Sequence, residues 1–264
     1  MKTPKKSLLI TTSWDDGHPS DVRVAELLAK HGLTGTFYVP CNNSEGWPVL
    51  SAGDIATIGK RFEIGGHTRD HVVLTGMSPG EASEQILYNK LWLQDILGCE
   101  VSGFAYVRGQ HNKIVRSLVE SAGFRFARTV KNLMSAPGEL PYQVPVTAQF
   151  FPHVTSTYLR NFLRGGPTSD RAAILSAIVS KSDIISRLLN AVEACAEQSG
   201  CFHLWGHSWE IDEYNLWDSL DHFLRLLSDC DARFVTNTDA LSQFEWRSAH
   251  SSETHVKAVE AKTM

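Results

Sequence analysis

Short apolar runs of strand length alternate with longer amphipathic segments along almost the whole chain, and this alternation constrains the fold more than any other feature. Residues 7–13, 34–39, 62–65, 101–106, 124–130, 201–205 and 233–236 read as strands. Helical patterns fall between them at 21–31, 51–61, 78–97, 113–122, 170–198 and 213–229. The boundaries carry their own chemistry. Gly32 stops the first helix and Ser51 caps the second. Ser78 caps the third, with Pro79 at its first position and Gly98 at its end. Strands each followed by a helix imply a parallel sheet with helices packed outside, as a barrel or an open sheet. A barrel with fewer than eight units is the preferred reading. Residues 131–166 hold Pro141, Pro145 and Pro152 beside Phe150, Phe151 and His153, and predict an inserted loop rather than a second domain. Residues 247–264 are polar and unpatterned, so one domain over 1–246 and a mobile tail are expected.

The 264 residues exceed a usual single domain but suit an α/β barrel, and 42% hydrophobic with 20% charged residues allows a sizeable core. A net charge of -4 argues against a nucleic-acid partner, which needs a basic face. The opening MKTPKKSLLITTSWDDG has one short apolar step, whereas a secretory signal needs roughly 7–15 apolar residues. No run approaches the roughly 20 apolar residues of a membrane span, so no membrane partner is expected. Five cysteines without CxxC spacing fit reduced thiols, and a cytoplasmic location is the expectation.

Parallel α/β folds present their chemistry at the carboxyl ends of the strands. Asp15 and Asp16 end the first strand, His67 and His71 follow the third, and Arg108 follows the fourth. Arg128 ends the next strand, and His207 follows 201–205. Two adjacent carboxylates repel in one site unless a cation joins them, although Asp-Asp-Gly also suits a solvated turn. In His67-Thr-Arg-Asp-His71 a helical turn would point both imidazoles one way, as ligands of one metal. Alone, the pair is as readily two surface histidines. Joined to a first-strand carboxylate it supplies three ligands and leaves positions open for water and substrate. His207, in LWGHSWE, is either a strand-end structural histidine or an acid–base group. Among Trp205, Trp209 and Trp217, Trp209, which follows His207, is the one expected at the site, where an indole offers a flat apolar face with one donor. Glu210 reads as a contact to a substrate hydroxyl or as the first acid of a helix. His18, His111 and His153 are expected to be solvated or hydrogen-bonded, and Cys41 inert.

SWDDG, HTRDH and LWGHS, in that order, resemble the polysaccharide deacetylase family (the NodB-homology domain, carbohydrate esterase family 4) across roughly residues 7–244. The resemblance implies a distorted (β/α) barrel with fewer than eight strands. It implies Asp15 as general base, Asp16, His67 and His71 as ligands of a divalent metal, expected to be zinc, and His207 as general acid. The expected reaction removes an acetyl group from an N-acetylated sugar or polysaccharide. A cytosolic amidase for a cyclic amide or ureide is the second reading, and a non-catalytic sugar-binding protein the third. The family's Arg-Pro-Pro-Tyr-Gly-like segment corresponds to Ala105–Gly109, which puts Ala105 in the arginine slot. Tyr106 and Arg108 are then expected on the substrate and oxyanion side, Arg108 through its backbone N–H. A base carboxylate needs orienting, and a guanidinium fork can do it. Arg128 is the expected replacement, held against Asp15. The competing reading makes it a surface arginine.

Overall fold

A computed structural model describes residues 8–243 except Pro137, Glu139 and Ser199. The strands are β1 (Leu8–Asp15), β2 (Thr36–Val39), β3 (Glu63–Gly66), β4 (Gly103–Ala105), β5 (Phe126–Arg128), β6 (Ala148–Gln149), β7 (Cys201–His207) and β8 (Ala232–Phe234). The helices of the first half are α1 (Asp21–Lys30), α2 (Ala52–Ile58), α3 (Pro79–Leu97) and α4 (Lys113–Ser121). Then come α5 (Thr155–Arg164), α6 (Ser169–Val179), α7 (Ile184–Glu197), α8 (Ser208–Glu213), α9 (Trp217–Ser228) and α10 (Asn237–Ser242). All the strand pairings are parallel. Seven strands run in the order β5-β4-β3-β2-β1-β7-β6 as a curled, distorted barrel with helices outside. β8 pairs with the first residues of β1 and adds no further position to that path. The β5 and β6 sides approach through the segment that precedes β6, where Thr129 N–H donates to the Val144 carbonyl and Val144 N–H to the Ala127 carbonyl.

Period-two alternation in β1 sorts its side chains. Leu8, Ile10 and Trp14 face the helices and join the main apolar core. Thr11, Ser13 and Asp15 point inward, where Thr11 bonds Asn237 and Ser13 bonds His203. The interior beneath the rim is therefore polar but paired. α3 has the ends expected of it: Ser78 and Glu81 cap each other's backbone N–H, and Gly98 closes the helix at φ 66°.

Three expectations change. The 131–166 segment is not a plain loop, since it carries β6 and α5. A two-residue strand has no period to read, and α5 leaves Leu159 and Leu163 exposed, which blurs its apolar face. The 213–229 helix is two helices, α8 ending at Glu213 and α9 starting at Trp217, with Asn215 at φ 51° between them. The 170–198 helix breaks between α6 and α7, where the Asp183 side chain caps the new start. The 247–264 tail lies outside the described residues.

Arg171 anchors the α5 region. Its buried guanidinium donates to the carbonyls of Asn161, Phe162 and Gly166 on one side and Asn132 on the other. Arg171→Met keeps the bulk but strands these acceptors, and is expected to lower stability by about 2 kcal/mol or more. Chemical denaturation measures this. A loss below about 0.5 kcal/mol would show that water replaces the guanidinium.

Candidate active site

β1 delivers two carboxylates to the rim and separates them. Asp16 sits at φ 76° and Gly17 at φ 58°, a left-handed pair that turns the chain sharply. A side chain at Gly17 would also meet Val39 Cγ1 at 2.8 Å, so close packing and φ both require glycine. Asp15 consequently points into the barrel and Asp16 across its mouth.

Asp15 is buried, and its Oδ2 accepts from Arg128 Nη2. The Arg128 side chain is fully buried, lies against the rings of Tyr38 and Trp205 at 5.2 and 5.4 Å, and donates through Nη1 to the Thr129 carbonyl. Burying a guanidinium is costly unless a carboxylate and π faces surround it, as they do here. The contact expected of Arg128 is therefore present, and the surface-arginine reading is excluded. Asp15 Oδ1 has no partner among the described residues.

His67 and His71 converge, but not through a helical turn. Thr68 at φ 67° and His71 at φ 52° make the connection a left-handed loop, pinned where the Thr68 hydroxyl accepts from Val72 N–H. His71 Nε2 lies 3.0 Å and His67 Nε2 3.3 Å from Asp16 Oδ1. One ligand atom from each of the three residues lies within 4.8 Å of the others. His67 Nδ1 is 2.8 Å from the Ala105 carbonyl, which can only accept. That contact puts a proton on Nδ1 and turns Nε2 toward the cluster, the usual support of a metal-binding imidazole. Asn89 holds the same residue by accepting from His67 N–H at 2.8 Å, and Trp209 Nε1 donates to Asp16 Oδ2 at 2.9 Å. For Asp16, burial opposes ionisation. The hydrogen bonds from His67 and His71 and the charge of His207 outweigh it, holding the carboxyl well below the usual range. An anionic oxygen and two oriented nitrogens fit a divalent cation.

The β1–β7 register sets Asp15 directly beside His207. His207 Nδ1 lies 2.8 Å from Glu210 Oε2, and its Nε2 is 3.8 Å from Asp16 Oδ2. Burial lowers the His207 pKa, but Glu210, Asp16 and Asp15 together raise it to about 9. Gln149 Nε2 donates to the same Glu210 oxygen at 2.8 Å, which fixes the carboxylate that fixes the imidazole. Trp209 stacks on His207 at 5.4 Å, and Trp47 stacks on Trp209 at 5.7 Å. With Trp47 51% exposed, the three rings form an open aromatic wall.

The structure brings Asp15, Asp16, His67, His71, Arg128, His207 and Trp209 together. Arg108 lies in the loop after β4 at φ 55°, its exposed guanidinium paired with Glu45 at 2.6 Å. Tyr106 is a correction. Alternation from β4 puts it on the helix-facing side with Phe104, buried, its hydroxyl donating to the Tyr142 carbonyl. Its side chain takes no part at the rim. Trp47 and the support of His207 by Glu210 escaped sequence reasoning. Trp47 has one faint signal, an aromatic residue between Gly46 and Pro48 in a loop after a strand end.

A carboxylate–guanidinium pair, a three-ligand cluster and a carboxylate-backed imidazole on one rim define a hydrolase-type centre on a (β/α) scaffold. Residues 1–127 match the family model described as Polysaccharide deacetylase. No curated protein sequence matches it. Among solved structures it is similar to a candidate polysaccharide deacetylase from Mycobacterium smegmatis, with 15% identity over 98% of this chain and 94% of that one, TM-score 0.64. It is similar to a mutant of the peptidoglycan deacetylase PdaC from Bacillus subtilis, with 15% identity over 99% and 100% of the two chains, TM-score 0.57. A family 4 acetyl xylan esterase from Clostridium thermocellum, in complex with a cobalt ion, matches with 15% identity over 89% and 91%, TM-score 0.56. At these identities the likeness is one of fold.

Proposed function

We propose that the chain is a metal-dependent deacetylase that hydrolyses an acetamide on a carbohydrate-type substrate. The observation that carries this is the Asp16–His67–His71 cluster on one rim with the imidazole of His207 and with Asp15, whose Oδ1 has no partner among the described residues. A divalent cation held by Asp16, His67 and His71, for which zinc is the proposed identity, would polarise the acyl carbonyl and acidify water. Asp15 Oδ1 takes the proton of the attacking water, while Arg128 holds the opposite oxygen and prevents the carboxylate from swinging. The Arg108 backbone N–H is the proposed donor to the developing oxyanion. His207 Nε2 gives its proton to the departing nitrogen, with Glu210 balancing the imidazolium. Trp47 and Trp209 offer flat apolar faces to a sugar ring. Buried Arg128 supports the catalytic reading over a non-catalytic one, since its guanidinium contacts Asp15 where Ala105 cannot.

The test is acetate release from acetylated mono- and oligosaccharides by the zinc- or cobalt-loaded chain. Release that stops on chelation and returns with metal is expected. No release from any acetylated sugar would overturn the reading. His207→Ala should lose about 100-fold or more on an N-acetyl sugar but far less on p-nitrophenyl acetate, whose leaving group needs no proton. Equal losses on both would remove His207 from the acid role.

A further inference from the structure

Beside His207 the rim opens into a cleft of about 620 Å³ whose lining includes Lys131, Gln149, His153, Arg160, Arg164 and Trp205. Three cations line it and no carboxylate does, in a chain whose net charge is -4. Arg160 and Arg164 are one helical turn apart on α5, a spacing at which like charges repel. Among the described residues neither they nor Lys131 pairs with an acid. The cleft is also built rather than incidental. Buried Arg171 ties Asn132 on one wall to the end of α5 on the other, and Arg187 ties the His153 carbonyl and the Thr155 hydroxyl to α7. Walls fixed this way hold three cations around an empty centre, which focuses a positive field there.

The cleft meets the catalytic groups on one side. Gln149 bonds the Glu210 oxygen that supports His207, and the Trp205 ring lies 5.1 Å from the His207 ring. On the deacetylase reading, on which this step rests, His207 protonates the leaving amine, so the sugar and whatever it carries extend toward the cleft. We infer that the substrate is an acetylated sugar bearing a phosphate ester, with Lys131, Arg160 and Arg164 as the residues that receive the phosphate. Two guanidinium forks and an ammonium match the several oxygens of a phosphate better than the two of a carboxylate. The carrier is a nucleotide, a simple phosphate or a prenyl lipid. The exposed Val154, Leu159 and Leu163 beside the cleft give reason to include the last among the probes.

The test is calorimetric titration of the metal-loaded chain with N-acetylglucosamine and N-acetylmuramic acid. N-acetylglucosamine 1-phosphate, its nucleoside-diphosphate form and a short-chain prenyl-diphosphate form complete the set. At least one phosphate-bearing sugar should bind about tenfold or more tighter than the neutral sugar and the carboxylate sugar, with an advantage that shrinks in salt. Lys131→Gln/Arg160→Gln/Arg164→Gln should erase that advantage while metal content and circular dichroism stay unchanged, since all three side chains are exposed. The rank order among the phosphate forms then names the carrier. Equal binding of all sugars, a carboxylate sugar that binds as well, or an advantage that survives the triple change would overturn the inference. A phosphate preference without acetate release from any sugar would sink the deacetylase reading and leave the cleft assignment standing. Release from neutral sugars without the preference would do the reverse.

Discussion

His71→Ala is expected to lose stoichiometric metal and about 1,000-fold or more in acetate release together, and His67→Ala to do the same. The two histidines approach one Asp16 oxygen at 3.0 and 3.3 Å, so neither is backed by a spare ligand. The fold should survive, because the apolar core lies between the sheet and the helices and does not include these rings. Elemental analysis with circular dichroism on the same sample separates the outcomes. Full metal occupancy in His67→Ala would remove it from the ligand set, and an unfolded His71→Ala protein would recast that residue as structural.

The second large effect is on stability. Arg128→Met should cost about 3–5 kcal/mol, because it strands the buried Asp15 carboxylate without its countercharge. Asp15→Asn should cost less, since an amide can still accept from the guanidinium. Asp15→Asn/Arg128→Met should recover much of the Arg128→Met loss, a non-additivity that chemical denaturation of the four proteins would read. Arg128→Lys keeps the charge but not the planar contact with Tyr38 and Trp205, and should depress kcat more than it raises KM. Additive losses in the cycle, or a fully active Arg128→Lys enzyme, would show that Asp15 does not depend on Arg128.

Strand-end logic made most of the centre legible. Asp15, Asp16, His67, His71, Arg128 and His207 all follow apolar runs, and parallel strands bring such positions to one rim whatever their separation in sequence. Arg128 is the instructive case: a vacancy at Ala105 implied a donor on a neighbouring strand end, and β5 places one there. What stayed hidden depends on backbone angles and on short-range packing. Nothing in His67-Thr-Arg-Asp-His71 announces two left-handed residues, so the right convergence was expected for the wrong geometry. Tyr106 was misplaced because the three-residue strand β4 leaves too little pattern to show which face its next residue takes. Glu210 read equally well as a helix acid, and only its 2.8 Å contact with His207 decides the matter.

The pairing of Asp15 with His207 across the β1–β7 ladder also orders events in time. β1 is synthesised first, yet the partner that brings the acid emerges only after α7. Both edges of a central strand must be filled before its buried polar side chains are sheltered, and contacts between distant segments form slowly. A chain cut before β7 would contain Asp16, His67 and His71, the proposed metal ligands, but not His207, the proposed acid.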